Sequence, residues 1–189
     1  SVVELALGEI ITMARRLGDR NASMHAGIWD KSATGSHEVR GRTLGIVGYG
    51  NIGSQLSVLA EGLGMRVYFY DIVDRLALGN ATRVYSLQEL FERCETITLH
   101  VDGRASNANM IGEKEFSQMR PRTLFLNLCR GNVVDVDALA VALKSGHIAG
   151  AAVDVFPGEP ASRDEPFVSP LQGIPNVILT PHVGGSTPE

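Results

Sequence analysis

Gly48-Tyr49-Gly50-Asn51-Ile52-Gly53 fits the pattern G-x-G-x-x-G, and the chemistry it suggests is that of an anion cradle. The preceding run, Leu44-Gly45-Ile46-Val47, is β-rich and the residues that follow read as a helix, which is the context that gives the pattern a physical job. A glycine at 48 permits the tight turn, one at 50 lets the backbone approach a pyrophosphate, and one at 53 lets helix and strand pack closely. Free amides where the helix opens, at Asn51 and Ile52, then favour the anion. Asp71 ends the next β-prone run, Val67-Tyr68-Phe69-Tyr70, 18 positions beyond Gly53. At that spacing a carboxylate accepts hydroxyl hydrogen bonds from an adenosine ribose, and its charge repels a 2′-phosphate, so NAD is expected over NADP. The competing readings are a plain glycine-rich turn and an aspartate that only caps the turn after it.

These groups need a scaffold, and its pattern runs through the chain. Short β-prone runs at 43–47, 66–70, 96–101, 123–128, 149–153 and 177–180 alternate with helical stretches at 52–63, 86–93, about 113–119 and 135–145. Such alternation predicts βαβ units, and so a doubly wound α/β domain with a parallel sheet, of Rossmann type. Asp135 is placed to cap the last of these helices and Gly146 to end it. Residues 157–176 hold five of the eight prolines and read as an irregular connector. At the start, Val3, Ala6, Leu7, Ile10, Met13, Ala14 and Leu17 have the spacing of one helix face over residues 2–17. Ser1 and Glu4 read as a capping box. Leu5 and Ile11 make that helix apolar almost all round, so part of it is expected to meet a second domain or subunit.

Composition narrows the function further. A net charge of −4 offers no basic field for nucleic acid. No apolar run approaches the roughly 20 residues that cross a bilayer, and the expectation is a cytoplasmic protein with no membrane partner. Cys94 and Cys129 form no C-x-x-C pair, so neither a zinc site nor a disulfide framework is indicated. His25, His37, His100 and His147 lack metal-ligand spacing and read as surface or strand-end residues.

Three further segments carry a specific likeness: Asn127-Leu128-Cys129-Arg130-Gly131, Asp154-Val155-Phe156-Pro157-Gly158-Glu159-Pro160 and Pro181-His182-Val183-Gly184-Gly185-Ser186-Thr187. Together with Ser1 to Glu9 and the glycine fingerprint, they resemble the D-2-hydroxyacid dehydrogenase family over essentially the whole chain. The stretches Gly62 to Asp71, Leu78 to Thr82 and Ala161 to Leu171 are similar to the bacterial branch that oxidises 3-phosphoglycerate. The resemblance implies three catalytic residues. Arg130 would fork onto the substrate carboxylate, His182 would take the hydroxyl proton, and Glu159 would hold the imidazole in place. It also implies cofactor contacts from Leu128, Cys129, Arg130, Asp154, His182, Val183, Gly184 and Gly185, with Asp154 accepting from the nicotinamide carboxamide unless it merely caps a turn. A thiol at Cys129, where many relatives carry a small or hydroxyl residue, departs from the pattern. So does Asp102, where relatives usually have proline.

The family's nucleotide domains pair as dimers, so Trp29 is a candidate interface anchor, with core as its alternative, and Lys31 a candidate helper for a substrate phosphate. The abrupt helical start and the stop after the Gly-Gly turn read as one domain, residues 1–189, of a longer parent whose substrate lobe is missing. On that reading this piece binds cofactor and turns over little substrate. Other readings stay open: a lactate, glycerate or formate enzyme on the same frame, a non-enzymatic NAD-sensing corepressor, and, against the later segments, a methyltransferase.

Overall fold

The computed structural model describes residues 1–189. Seven strands form one sheet: β1 (Thr43–Val47), β2 (Arg66–Tyr70), β3 (Thr82–Arg83), β4 (Thr96–Leu99), β5 (Thr123–Asn127), β6 (Ile148–Val153) and β7 (Val177–Leu179). Their order is β3-β2-β1-β4-β5-β6-β7, and every pairing is parallel. The order reverses between β1 and β4. That reversal opens a crevice beyond their carboxyl ends, where open α/β sheets bind ligands.

The chain has six α-helices, all but α2 packed on the sheet: α1 (Val2–Ala14), α2 (Leu17–His25), α3 (Asn51–Gly62), α4 (Leu87–Arg93), α5 (Glu113–Gln118) and α6 (Val136–Lys144). On one face Ala6, Ile10 and Met13 of α1 and Leu56 and Ala60 of α3 share a core with Leu44, Ile46 and Leu126. On the other, Leu90 and Phe91 of α4, Phe116 of α5 and Leu139 and Leu143 of α6 pack with Val47, Ile97 and Phe125. A sheet covered on both faces has no polar side to its central strands, and β1, β4 and β5 are buried throughout.

Several expectations need correction. The first helix stops at Ala14, because Arg16 takes a left-handed backbone (φ 53) and its side chain turns to Asp19 at 3.0 Å. The chain then forms α2, which buries no residue and so left no apolar stripe to read. Ser1 caps α1 by position, but its side chain makes no capping bond. The runs at 96–101, 123–128 and 177–180 overshoot, since each strand ends where its chain bends into the crevice. β3 is only two residues long and was not foreseen. Asp135 does cap α6, accepting from Ala138 N at 3.1 Å, and Gly146 ends it with φ 82.

Candidate active site

The fingerprint sits at the sheet's reversal. Gly48 has φ 93, and a Cβ there would meet the His100 carbonyl oxygen at 2.4 Å, so only glycine lets the β1 and β4 loops close on each other. At Gly53 a Cβ would meet the Gly48 carbonyl at 2.3 Å, which fixes the helix against the turn. Gly50 differs: nothing in the protein lies within 4 Å of where its Cβ would be. The space it leaves is open, ahead of the α3 amino terminus, and fits an approaching phosphate. Asn51 and Ile52 are exposed there.

The carboxylate of Asp71 accepts from Tyr49 N at 2.8 Å and Val73 N at 2.9 Å, and Arg75 Nε lies 3.4 Å away. It therefore ties the glycine loop to the turn after β2. With four lone-pair sites it retains acceptor capacity. Both it and the fingerprint line a cavity of about 200 Å³, closed on the far side by His100, Val101 and Asp102. Burial of the His100 ring holds its pKa down to about 4, so this wall carries a neutral imidazole, bonded to Thr98 at 2.9 Å.

Asp102, the departure from the family pattern, is held within its own loop. It accepts the backbone N–H of Arg104 at 3.1 Å and its guanidinium at 2.8 and 2.6 Å, and those bonds hold its carboxyl down to about 2. The pinned loop brings Gly103 against Arg130, where a Cβ would come within 3.0 Å of Cγ.

At the next crevice edge, β5 and β6 deliver Arg130 and the 154–160 loop. Gly131 permits the meeting, since a Cβ there would lie 2.2 Å from the Phe156 carbonyl carbon. Arg130 is exposed and donates to the Cys129 carbonyl at 2.6 Å. Glu159 accepts from Phe156 N at 3.1 Å and pairs with His182 Nδ1 at 2.9 Å. Burial raises the Glu159 pKa, but the His182 ring, the Phe156 amide and the charges of His182 and Arg130 outweigh it, leaving the carboxyl below its ordinary value. His182 keeps a half-exposed side chain and a left-handed backbone at φ 55.

Asp154 explains how that backbone is held. Almost fully buried, it accepts Thr180 Oγ1 at 2.7 Å and Val183 N at 2.8 Å on one oxygen, and Gly184 N at 2.9 Å on the other. It thus caps the turn that presents His182, a role the sequence offered only as an alternative. Thr180 was not singled out at all; a hydroxyl two residues before the histidine was the available signal. Gly185 is exposed beside this turn. Leu128 and Cys129 are both buried, in opposite cores, and the Cys129 thiol donates to Asn127 Oδ1 at 3.1 Å. Trp29 is 77% exposed, which removes the core alternative, and Lys31 is exposed beside it. No group of acidic, histidine or cysteine side chains could hold a metal, and no helix is long and apolar enough to cross a membrane.

A glycine-rich turn at a helix start, an aspartate bonded to that turn and a Glu-His pair at one end of a parallel sheet are the features of a dinucleotide-dependent dehydrogenase domain. The chain belongs to the D-isomer specific 2-hydroxyacid dehydrogenase family as its NAD-binding domain, whose family model matches residues 7–184. Among curated relatives it is 57% identical to D-3-phosphoglycerate dehydrogenase of Haemophilus influenzae and 54% identical to that of Escherichia coli (strain K12). Both matches take in all of this chain and 46% of the relative, so the chain spans about half the length of the curated relatives it matches. The NAD complex of NAD-dependent formate dehydrogenase from Staphylococcus aureus superposes with a TM-score of 0.90 at 28% identity, over 98% of this chain and 55% of that one.

Proposed function

We propose that this chain is the cofactor-binding half of a D-3-phosphoglycerate dehydrogenase, which oxidises 3-phosphoglycerate to 3-phosphohydroxypyruvate at the entry to serine synthesis in the cytoplasm. The observation that carries the reading is the 2.9 Å pair of His182 and Glu159, at the same end of the sheet as the fingerprint. The names of the two relatives, over the full length of this chain, support the choice of substrate.

NAD, held by Gly48, Gly50, Asn51, Ile52, Gly53 and Asp71, would supply the hydride acceptor. His182 Nε2 takes the proton of the substrate hydroxyl as the C–H bond gives up its hydride. Glu159 holds Nδ1, which fixes the tautomer that leaves Nε2 free to accept and favours the imidazolium that forms. Arg130, permanently charged, forks onto the substrate carboxylate and polarises the developing carbonyl. Asp154 keeps Val183 and Gly184 in the turn that aims the imidazole. Contacts to the substrate phosphate come mainly from a lobe that this chain does not contain, with Lys31 as a candidate helper. Exposed Trp29 anchors a homo-oligomer through this domain.

Another acid on the same frame, lactate, glycerate or formate, is the second reading, and the formate dehydrogenase fold match speaks for it. A corepressor-like NAD sensor is the third, weakened by the assembled Glu-His pair. Calorimetric titration with NADH should show one site on residues 1–189, while 3-phosphoglycerate with NAD should give no NADH from this chain. The intact parent should turn over 3-phosphoglycerate in preference to lactate, glycerate and formate. A parent that binds NADH yet oxidises none of these acids would favour the sensor.

A further inference from the structure

One residue of α1 does not fit its apolar face. Glu9 is 5% exposed, and neither of its carboxyl oxygens reaches solvent or any hydrogen-bond partner in the protein. An ionised carboxylate in that setting is among the most costly groups a core can hold, and the usual relief is to take up a proton. Burial first, and then the charge of Asp154, raises the Glu9 pKa to about 7.

The surroundings leave Asp154 as the charge that matters. β5 and β6 carry no ionisable side chain, and the single one on α3, Glu61, is bonded to Asn80 N. On α2, Asp19 is paired with Arg16 and Arg20 with Asp30. His25 lies exposed at the far end of α2, and Glu4 is exposed on α1 itself. His37 is exposed where its backbone meets the carboxyl end of α1. Asp154 stands just past β6, behind the His182 turn. Val2 and Leu5 of α1 lie against that turn, for a Cβ at Gly184 would meet Asp154 Oδ2 at 3.0 Å, Val2 at 3.5 Å and Leu5 at 3.7 Å, and Glu9 follows Leu5 by four residues on the same face of the helix.

The two carboxyl groups are supplied unequally. Asp154 receives three donors and Glu9 none. When two such groups share a buried neighbourhood, the one with donors keeps the charge and the other keeps the proton.

We propose that Glu9 is a positioning residue: held as a neutral carboxylic acid, it leaves Asp154 the single buried charge behind the His182 turn, and its ionisation loosens Asp154's hold on Val183 and Gly184. The proton leaves Glu9 for solvent. A second negative charge then faces Asp154 and draws water in behind the turn, where it competes for the charge-assisted bonds that hold Val183 and Gly184. The proposal rests on the functional reading for its consequence, namely the aim of His182, but not for its test.

The test is carbon-13 NMR of carboxyl-labelled glutamate in the cofactor-free chain, with the Glu9 resonance assigned by its loss in Glu9→Gln. Glu9 should titrate near 7, against about 4.3 for exposed glutamates. In a His182→Gln background, which removes that imidazole's own titration, the Val183 and Gly184 amides should shift with the same midpoint. Adding Glu9→Gln to that background should abolish the amide shift. On heating, a group whose folded pKa is raised gives stability that is full below its unfolded pKa and lost as pH rises through its folded one. Wild type should therefore lose melting temperature between about pH 4.3 and 7 relative to Glu9→Gln, and hold a constant deficit above that. A Glu9 midpoint near 4.3, or amide shifts that persist in Glu9→Gln, would overturn the proposal. If Glu9→Gln failed to fold, the glutamate titration of wild type and the amide titration of His182→Gln, both assigned sequentially, would decide it. Failure of NADH to bind would instead count against the cofactor reading and leave these titrations standing.

Discussion

His182 pairs through Nδ1 with a carboxylate and takes its aim from a left-handed backbone at φ 55. A non-glycine residue in that region carries about 1–3 kcal/mol of strain, which the three donors on Asp154 must offset. Removing the carboxylate from Glu159 should leave the fold intact and strike the proton transfer. Glu159→Gln in the intact parent is expected to lower kcat by roughly 10²- to 10⁴-fold with little change in the NADH dissociation constant; an equal loss of cofactor affinity would show that Glu159 acts on binding instead. Asp71 carries a separate burden. Asp71→Ala should weaken NAD by about 1.5–3 kcal/mol, the worth of hydrogen bonds to a charged acceptor, while NADP, relieved of repulsion, loses less. Paired titrations with the two cofactors read this directly, and an unchanged ratio would return Asp71 to turn-capping alone.

Loops at the strand ends bring these side chains together, and small residues set how close the loops come. Arg130, Glu159 and His182 lie on the β5, β6 and β7 edges of the crevice, and the 130 and 156 loops touch only because Gly131 has no side chain. A methyl group there must force them apart. Gly131→Ala should cost about 1–3 kcal/mol of stability through overpacking and lower kcat, while NADH binding at the distant fingerprint changes little. Wild-type turnover in this variant would mean that the two loops need not meet for Arg130 and Glu159 to act. The loop after β4 is pinned by the Asp102–Arg104 pair, and Gly103 seats the stem of Arg130.

Across the molecule, the doubly wound sheet collects the cofactor fingerprint and the Glu-His pair at one end. α1 takes the half of one face that α3 leaves uncovered, bringing a buried acid behind the site. Beyond α1, the exposed apolar side chains Leu17, Met24, Ile28 and Trp29 lie within 13 residues of one another. These exposed side chains are the basis of the proposed oligomer contact. Trp29→Ala should shift the intact parent toward a smaller species in sedimentation velocity without altering NADH binding, and unchanged sedimentation would rule Trp29 out as the anchor.

The alternation of β-prone and helical runs was legible in order and nearly in bounds, because both faces of a covered parallel sheet must be apolar and the breaks fall at glycines, prolines and caps. The fingerprint and Asp71 were legible because their spacing is set locally, by one strand, one turn and one helix. Arg130, Glu159 and His182 were legible only through their segment patterns, since their meeting depends on three separate strand ends. Asp154's grip on the histidine turn, the clearance at Gly131, the break at Arg16 and the isolation of Glu9 could not be read in advance. Each depends on what a residue more than twenty positions away, or a backbone angle at a single position, does to its surroundings. A linear sequence encodes local spacing directly, whereas which carboxyl group finds donors, and which must keep its proton, follows from packing.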